Sequence, residues 1–124
     1  MDYAVIDPDD LERVEGRPCD LRRLSDAAGM DNVAINRFDA EPGEQLPLAY
    51  HVHDTQEEAF LVLSGTLHVE TPEGDHVVPE GSMFAAQPES PHRAYNPEDA
   101  DERVSVVAVG APSVDDVAPY EADE

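Results

Sequence analysis

Two histidines and a glutamate stand close together in the stretch YHVHDTQEEAFLVLSG, residues 50–65. Because side chains of a strand alternate between its two faces, His51 and His53 point to the same side of the predicted strand AYHVH. Glu58 lies on the next predicted strand, and it comes beside both imidazoles if the two strands pair as neighbours. Two imidazoles and a carboxylate are a common ligand set for a divalent first-row metal. The pattern predicts a metal site. The alternative is that the histidines are ordinary surface or hydrogen-bonded residues that bind no metal.

The sequence resembles the cupins at two long, gapped motifs. The first, G-x(5–7)-H-x-H-x(3–4)-E-x(6)-G, is matched by Gly43, His51, His53, Glu58 and Gly65. The second is matched in order by Gly74, Pro79-Glu80-Gly81, His92 and Asn96, with Ser82 where the usual motif has Asp. The motifs and the strands between them cover residues 43–96, and flanking strands extend the resemblance to about 30–110.

The resemblance implies an all-β fold, the cupin-type double-stranded β-helix or jelly-roll barrel, with a metal inside its mouth. Carried over position by position, the ligands are His51, His53, Glu58 and His92. They would hold one divalent ion, and the spacing does not choose among Fe, Mn, Ni, Co and Zn. Glu57 offers the alternative three-residue spacing, but its side chain falls on the other face of the strand from Glu58. Asn96 is expected to hold the backbone of the final turn.

A pocket beside the metal is predicted from the same strand faces. Its expected lining is Phe60, Val62, Ala94, and Met83 or Phe84. Arg37 lies inside an alternating strand and could offer its guanidinium to a carboxylate ligand. The alternative for Arg37 is an exposed side chain paired with one of the many acids. His68 and His76 are predicted to face solvent.

Short strands separated by Gly and Pro dominate the sequence from residue 32 onward. Such strands, about 8–12 residues apart, favour an all-β sandwich or barrel. Residues 8–29 have the only helical character, and Gly29 is a plausible C-cap. We therefore divide the chain into a strand or helical N-terminal lead-in (1–31), the cupin barrel (32–112) and an acidic C-terminal tail (113–124), which is expected to be loose after Ala118.

The charge balance is extreme, with 29 acidic residues against seven arginines, no lysine and a net charge of -22. No basic patch can be assembled, which argues against nucleic acid and anionic membranes as partners. At ~1 M salt the Debye length is only ~3 Å, so crowded carboxylates barely repel one another. The composition thus predicts an acidic, halophilic protein, from an extreme halophile, that loses its fold in dilute buffer.

No apolar run long enough to span a membrane occurs, and MDYAVIDPDD lacks the features of a signal peptide. Cys19 is the single cysteine, which excludes an internal disulfide. The expected location is cytoplasmic. By analogy with small cupins we expect a homodimer, built on the apolar edge strand VAINRF or VSVVAVG.

Three classes of function remain open. The first is a metal-dependent enzyme acting on a small organic molecule, either a dioxygenase or an isomerase or lyase; no separate general base stands out. The second is a non-catalytic module that binds a small ligand or metal as a sensor or carrier. A metal-free structural cupin is a third alternative. Cupins host many unrelated activities, so the resemblance alone does not choose.

Overall fold

Ten antiparallel strands form the fold in this computed structural model, which describes residues 2–121. In chain order the strands are β1 (Asp20–Arg23), β2 (Ala34–Ala40), β3 (His51–His53), β4 (Glu57–Ser64), β5 (Leu67–Thr71), β6 (Gly74–Val78), β7 (Met83–Ala86), β8 (Arg93–Tyr95), β9 (Val104–Ala111) and β10 (Val117–Pro119). A 3₁₀ turn, Pro8–Asp10, and one short helix, α1 (Leu24–Ala28), complete the described elements. The all-β prediction, with a partly helical N-terminal segment, is confirmed.

The strands form two sheets that enclose one core. The first sheet has the order β1-β2-β9-β4-β7. The second contains β6-β5-β8, and the pair β3-β10 is joined to it by a bridge between His51 and His92, whose backbones exchange two hydrogen bonds. Alternate residues of both sheets are buried together, among them Phe38, Phe60, Val62 and Val106 from the first and Leu67, Val69 and Ala94 from the second. This arrangement is consistent with a double-stranded β-helix.

The strands that carry His51 and Glu58 are not neighbours, so the condition under which the sequence brought Glu58 beside the imidazoles is not met. Strand β3 pairs with β10, whereas β4 lies between β9 and β7. Residues 54–56 carry the chain from one sheet to the other. Glu58 therefore reaches the imidazoles across the interior of the barrel and not along a sheet.

The two strands expected to offer an apolar dimer edge are interior strands. Strand β2 pairs with both β1 and β9, and β9 pairs with both β2 and β4. Their apolar side chains are explained by this central position. The edges of the first sheet are β1 and β7, so the edge on which the homodimer expectation rested is absent from the described residues.

Helix α1 and the C-terminal strand β10 pack onto the barrel, whereas residues 2–5 are exposed. Helix α1 ends at Gly29, which has the left-handed φ of 72° and confirms the predicted C-cap. Strand β10 pairs with β3 as far as Pro119, and the Tyr120 N–H donates to the Tyr50 carbonyl, so residues 119 and 120 of the segment expected to be loose are held. Residues 122–124, the end of the predicted tail, lie outside the described residues. No helix in the described part is long and apolar enough to cross a membrane.

Two motif residues hold the turns next to the barrel. Asn96 is buried, and its side-chain amide donates to the carbonyls of Ala40 (3.0 Å) and Glu102 (2.9 Å), as predicted. Gly65 has a φ of 77°, and a Cβ there would lie 2.5 Å from the Arg103 carbonyl oxygen. Only glycine accommodates both conditions, because other residues rarely adopt this φ and any side chain would meet backbone.

Candidate metal centre

Three imidazoles and one carboxylate converge between the two sheets. His51 and His53 come from β3, Glu58 from β4, and His92 directly precedes β8. The Nε2 atom of His92 lies 2.6 Å from Glu58 Oε1, and those of His51 and His53 each lie 3.5 Å from the same oxygen. One ligand atom from each residue lies within 4.8 Å of the others. The structure thus brings together all four residues named from the sequence, and Glu57 is exposed on the opposite face.

Each of the three imidazoles is oriented by a hydrogen bond at its other nitrogen. The acceptors of the Nδ1 atoms are the Ala49 carbonyl for His51 (3.2 Å), the Asp116 carboxylate for His53 (3.0 Å) and the Ser90 carbonyl for His92 (2.9 Å). Because these oxygens accept, Nδ1 carries a proton in each ring, and Nε2 is the nitrogen that faces the centre. Such outer hydrogen bonds are typical of histidines that bind a metal.

The chemistry of the four residues fits a divalent first-row metal. Three neutral imidazoles and one carboxylate supply N and O donors and leave a dication with a net charge of about +1. The Nε2 atom of His53 is buried and has no hydrogen-bond partner among the described residues, an arrangement that costs about 1–3 kcal/mol. A cation held by the four residues would give that atom its partner.

The titration of the centre is dominated by contacts among these same groups. Burial alone would raise the pKa of the Glu58 carboxyl, but the three histidines hold it well below its ordinary value. The Glu58 carboxylate raises the pKa of His53 against the effect of burial, with help from Asp116. At 3.5 Å this action on His53 is electrostatic, since the separation is too long for a well-formed hydrogen bond. Protons and a metal therefore compete for the same lone pairs.

Asp116 is a residue of the centre that the sequence did not reveal. Its Oδ1 accepts from His53, and its Oδ2 accepts from the Thr55 hydroxyl (2.8 Å) and from the N–H groups of Thr55 and Gln56. The Thr55 N–H, with these other donors, holds the pKa of the Asp116 carboxyl well below its ordinary value although burial opposes this. Asp116 lies in the segment predicted to be an acidic tail, where one aspartate among many acidic residues does not indicate a functional site.

Gln56 holds in place the loop between β9 and β10, which contains Asp116. Its side chain is buried and donates to the carbonyls of Pro112 (3.0 Å) and Val114 (3.4 Å). This packing requires glycine at position 110, because a Cβ there would lie 2.6 Å from Gln56 Cδ. The chain from β9 to β10 is thereby tied to the crossing between β3 and β4.

Replacing Asp116 by asparagine is expected to weaken metal binding by about 10–100-fold, the usual cost of losing such an outer partner of a ligand. The amide keeps the size of the carboxylate but places an NH₂ group against a donor. Chelator competition at fixed pH measures the effect. Asp54→Asn is the matched control, since Asp54 is exposed, adjacent to His53 in sequence and of the same charge as Asp116. Equal affinities for the two variants would contradict the assigned role.

An open cavity of about 520 Å³ borders His51, His53 and Glu58, while His92 lies buried behind them. Phe60 lines this cavity, as predicted. Four other residues expected in the lining lie elsewhere: Arg37, Val62, Phe84 and Ala94. Val62 and Ala94 are core residues with 1% and 0% exposure. Val62 is the next inward-facing residue after Phe60, and Ala94 is the next after His92, so both lie deeper in the barrel. Phe84 stacks against the far side of Phe60, with ring centroids 6.2 Å apart.

Arg37 points away from the cavity because its neighbours point into it. Asn36 and Phe38 both line the cavity, so alternation sends Arg37 outward. There its Nε lies 3.3 Å from the Asp39 carboxylate, in agreement with the alternative of pairing with an acid. Met83, the other option for the lining, is 61% exposed.

The two remaining histidines lie outside the centre. His76 is exposed, as predicted, and its ring lies 5.6 Å from that of Phe84. His68 is partly buried, with its ring 5.7 Å from that of Tyr95.

The rest of the cavity wall is formed by residues that were not predicted to line it. The N-terminal lead-in contributes Arg17 and Arg23, and β2 contributes Asn36 and Phe38. The segment after β9 closes another side with residues 113–115 and 117–119. The wall therefore combines apolar surface near the metal ligands with polar and cationic groups, which suits a small polar molecule.

Comparisons with known proteins agree with this fold. The chain matches the model of the cupin domain over residues 36–110, more than half of its length. A sugar phosphate isomerase of the cupin superfamily from Silicibacter pomeroyi DSS-3 is 26% identical, with 87% of this chain and 75% of that chain covered and a TM-score of 0.74.

Two more distant structures support the fold alone. The polyketide cyclase RemF from Streptomyces resistomycificus is 17% identical, with 98% and 88% covered and a TM-score of 0.79. A predicted oxalate decarboxylase from Thermotoga maritima is 16% identical, with 88% and 99% covered and a TM-score of 0.72. A search of curated proteins finds no match. The family match and the converging ligand set together establish that this chain belongs to the cupin domain family.

Proposed function

We propose that this protein is a metal-dependent enzyme that acts on a small, oxygen-rich organic molecule, and that the reaction is an isomerisation. The observation that carries the proposal is the position of the ligand set. His51, His53 and Glu58 form part of the wall of an open cavity, whereas a structural metal site is closed by protein ligands on all sides. A substrate can therefore approach the centre from the cavity.

The residues of the chain have separable roles in this proposal. When bound, a divalent ion supplies Lewis acidity toward a substrate oxygen. Phe38 and Phe60 give the cavity an apolar floor that limits the access of water to the centre. The Asn36 amide, on the same inner face, can donate to or accept from a hydroxyl group. Asp116 keeps the proton of His53 on Nδ1, away from the cavity.

The relative at 26% identity supports isomerisation over oxygenation, since it is described as a sugar phosphate isomerase and covers most of both chains. The test is turnover of a panel of sugar phosphates, aromatic diols and thiols by protein loaded in turn with Fe, Mn, Ni, Co or Zn. We expect metal-dependent conversion of a sugar phosphate without consumption of O₂, absent from a His51→Ala, His53→Ala variant. Oxygen uptake with a diol or thiol would instead identify a dioxygenase. Binding without turnover of any compound would contradict the enzyme proposal and identify a binding module.

A further inference from the structure

Two arginines on the cavity wall have no acidic partner, in a protein dominated by acids. Four of the seven arginines lie within 4.0 Å of a carboxylate: Arg22, Arg37, Arg93 and Arg103. Among residues 2–121, the other three form no such pair: Arg13 is exposed outside the cavity, and the remaining two are Arg17 and Arg23. Both line the cavity that holds the metal centre. Their isolation in such a chain indicates that the cavity keeps its positive charge available.

Arg17 is the more enclosed of the two. Its Nε is buried and has no hydrogen-bond partner among the described residues. Burial lowers the pKa of Arg17, and the positive charge of Arg23 lowers it further. Two cations close enough to disfavour each other, one with a buried and unused donor, are stabilised by an anion that binds both.

The sheet register places Arg23 and the metal ligand Glu58 on the same inner surface. Arg23 is opposite Asn36 on β2, which is followed across the sheet by Ala108 on β9 and Phe60 on β4. Glu58 is the next inward-facing residue on β4. The backbones of Arg23 and Phe60 are three steps between strands apart, and at ~4.8 Å a step they lie about 14 Å apart at most. Side chains extend into this space from both ends, which leaves room for a small molecule between them.

We propose that Arg17 and Arg23 bind the phosphate group of the substrate. The substrate is a small phosphate monoester, and the oxygen-bearing end opposite its phosphate faces the metal centre. Two guanidinium groups match the charge of a phosphate close to its dianionic form and can each bind its oxygens through two N–H groups. A single carboxylate would neutralise only one of them. This inference rests on the proposed function and deepens it by naming the substrate class and the residues that select it.

The net charge of the protein makes this local pair necessary. A net charge of -22 repels an anionic ligand at long range, and Asp115 adds an acidic side chain to the cavity wall. Salt screens the long-range repulsion within a few ångströms, but contacts inside the cavity are screened much less. Discrimination in favour of an anion therefore depends on the groups that touch it, and Arg17 and Arg23 are the cavity residues with positive charge.

The experiment measures binding of inorganic phosphate, with malonate as the carboxylate probe, by calorimetry at one fixed KCl concentration. The variants are Arg17→Gln and Arg23→Gln, with Arg13→Gln as the matched control, because Arg13 is exposed and lies outside the cavity lining. We expect each cavity variant to weaken phosphate binding by about tenfold or more, the loss for one charge-assisted hydrogen bond. Arg13→Gln should bind as the parent does, and metal content should be equal in all four proteins.

Three outcomes would overturn the inference: no phosphate binding by the parent, equal phosphate binding by all variants, or malonate binding that alone depends on the two arginines. Arg23 is exposed, so Arg23→Gln carries the test even if Arg17→Gln fails to fold. Repeating the titration on the His51→Ala, His53→Ala variant separates the two proposals. Arginine-dependent phosphate binding that persists there supports the anion site even if no metal-dependent turnover is ever found. Phosphate binding that depends on the histidines and not on the arginines would contradict it.

Discussion

Glu58→Gln is expected to weaken metal binding by about a hundredfold or more, whereas Glu57→Gln leaves it unchanged. Glu58 supplies the one negative charge among the four ligands, and its side chain is 16% exposed between three imidazoles. Removing one partner of a buried charge pair typically costs about 3–5 kcal/mol. Glutamine preserves the shape of the side chain, so the loss reports the charge and the donor oxygen.

The pair of adjacent glutamates makes this a test of strand register. A shift of one residue would move every side chain of β4 to the other face, and Glu57 would then replace Glu58 at the centre. Chelator competition measures the affinity of both variants, and circular dichroism verifies that each is folded. A large loss from Glu57→Gln, or none from Glu58→Gln, would show that the carboxylate has been assigned to the wrong residue.

Transfer from molar KCl to dilute buffer is expected to destabilise the protein strongly. Seven arginines offset 29 acidic residues, so carboxylates repel one another once salt no longer screens them. We expect the midpoint of thermal unfolding to fall by about 10 °C or more, which for a chain of this length corresponds to a few kcal/mol. Thermal melts followed by circular dichroism over a series of KCl concentrations measure how the unfolding midpoint depends on salt.

A triple variant distinguishes repulsion from a general effect of salt on folding. Glu98, Asp99 and Asp101 are exposed in the turn before β9, and changing them to amides alters the net charge from -22 to -19. The variant should lose less stability than the parent when salt is removed. An identical salt dependence, or a parent midpoint independent of KCl, would contradict the prediction of a salt-adapted protein.

The metal ligands could be predicted because the signals that mark them are local or belong to a spaced motif. Strand alternation alone puts His51 and His53 on one face, and the same rule separates Glu58 from Glu57. His92 lies 34 residues from its contact with Glu58 and was reached only through the cupin resemblance. Alternation fixes the face of a side chain and not the partner of its strand, which is why the sequence could state the pairing of β3 with β4 only as a condition.

Residues brought to the site by distant chain segments escaped prediction. Asp116 lies 63 residues from His53, in a stretch where acidic composition hides one functional carboxylate among many solvated ones. Arg23 reaches the cavity through the register of β1 with β2, which no pattern within either strand encodes. Arg37 follows the alternative of pairing with an acid, because burial of Phe38 fixes the inward positions of β2 and Arg37 lies between them.

The metal content of the purified protein shows whether the four side chains assemble a metal site. The protein should be purified in molar KCl without added metal and subjected to elemental analysis beside a His51→Ala, His53→Ala variant. We expect about one Fe, Mn, Ni, Co or Zn per chain in the parent and none in the variant. No metal in either protein, with no uptake when each of these ions is titrated in, would contradict it.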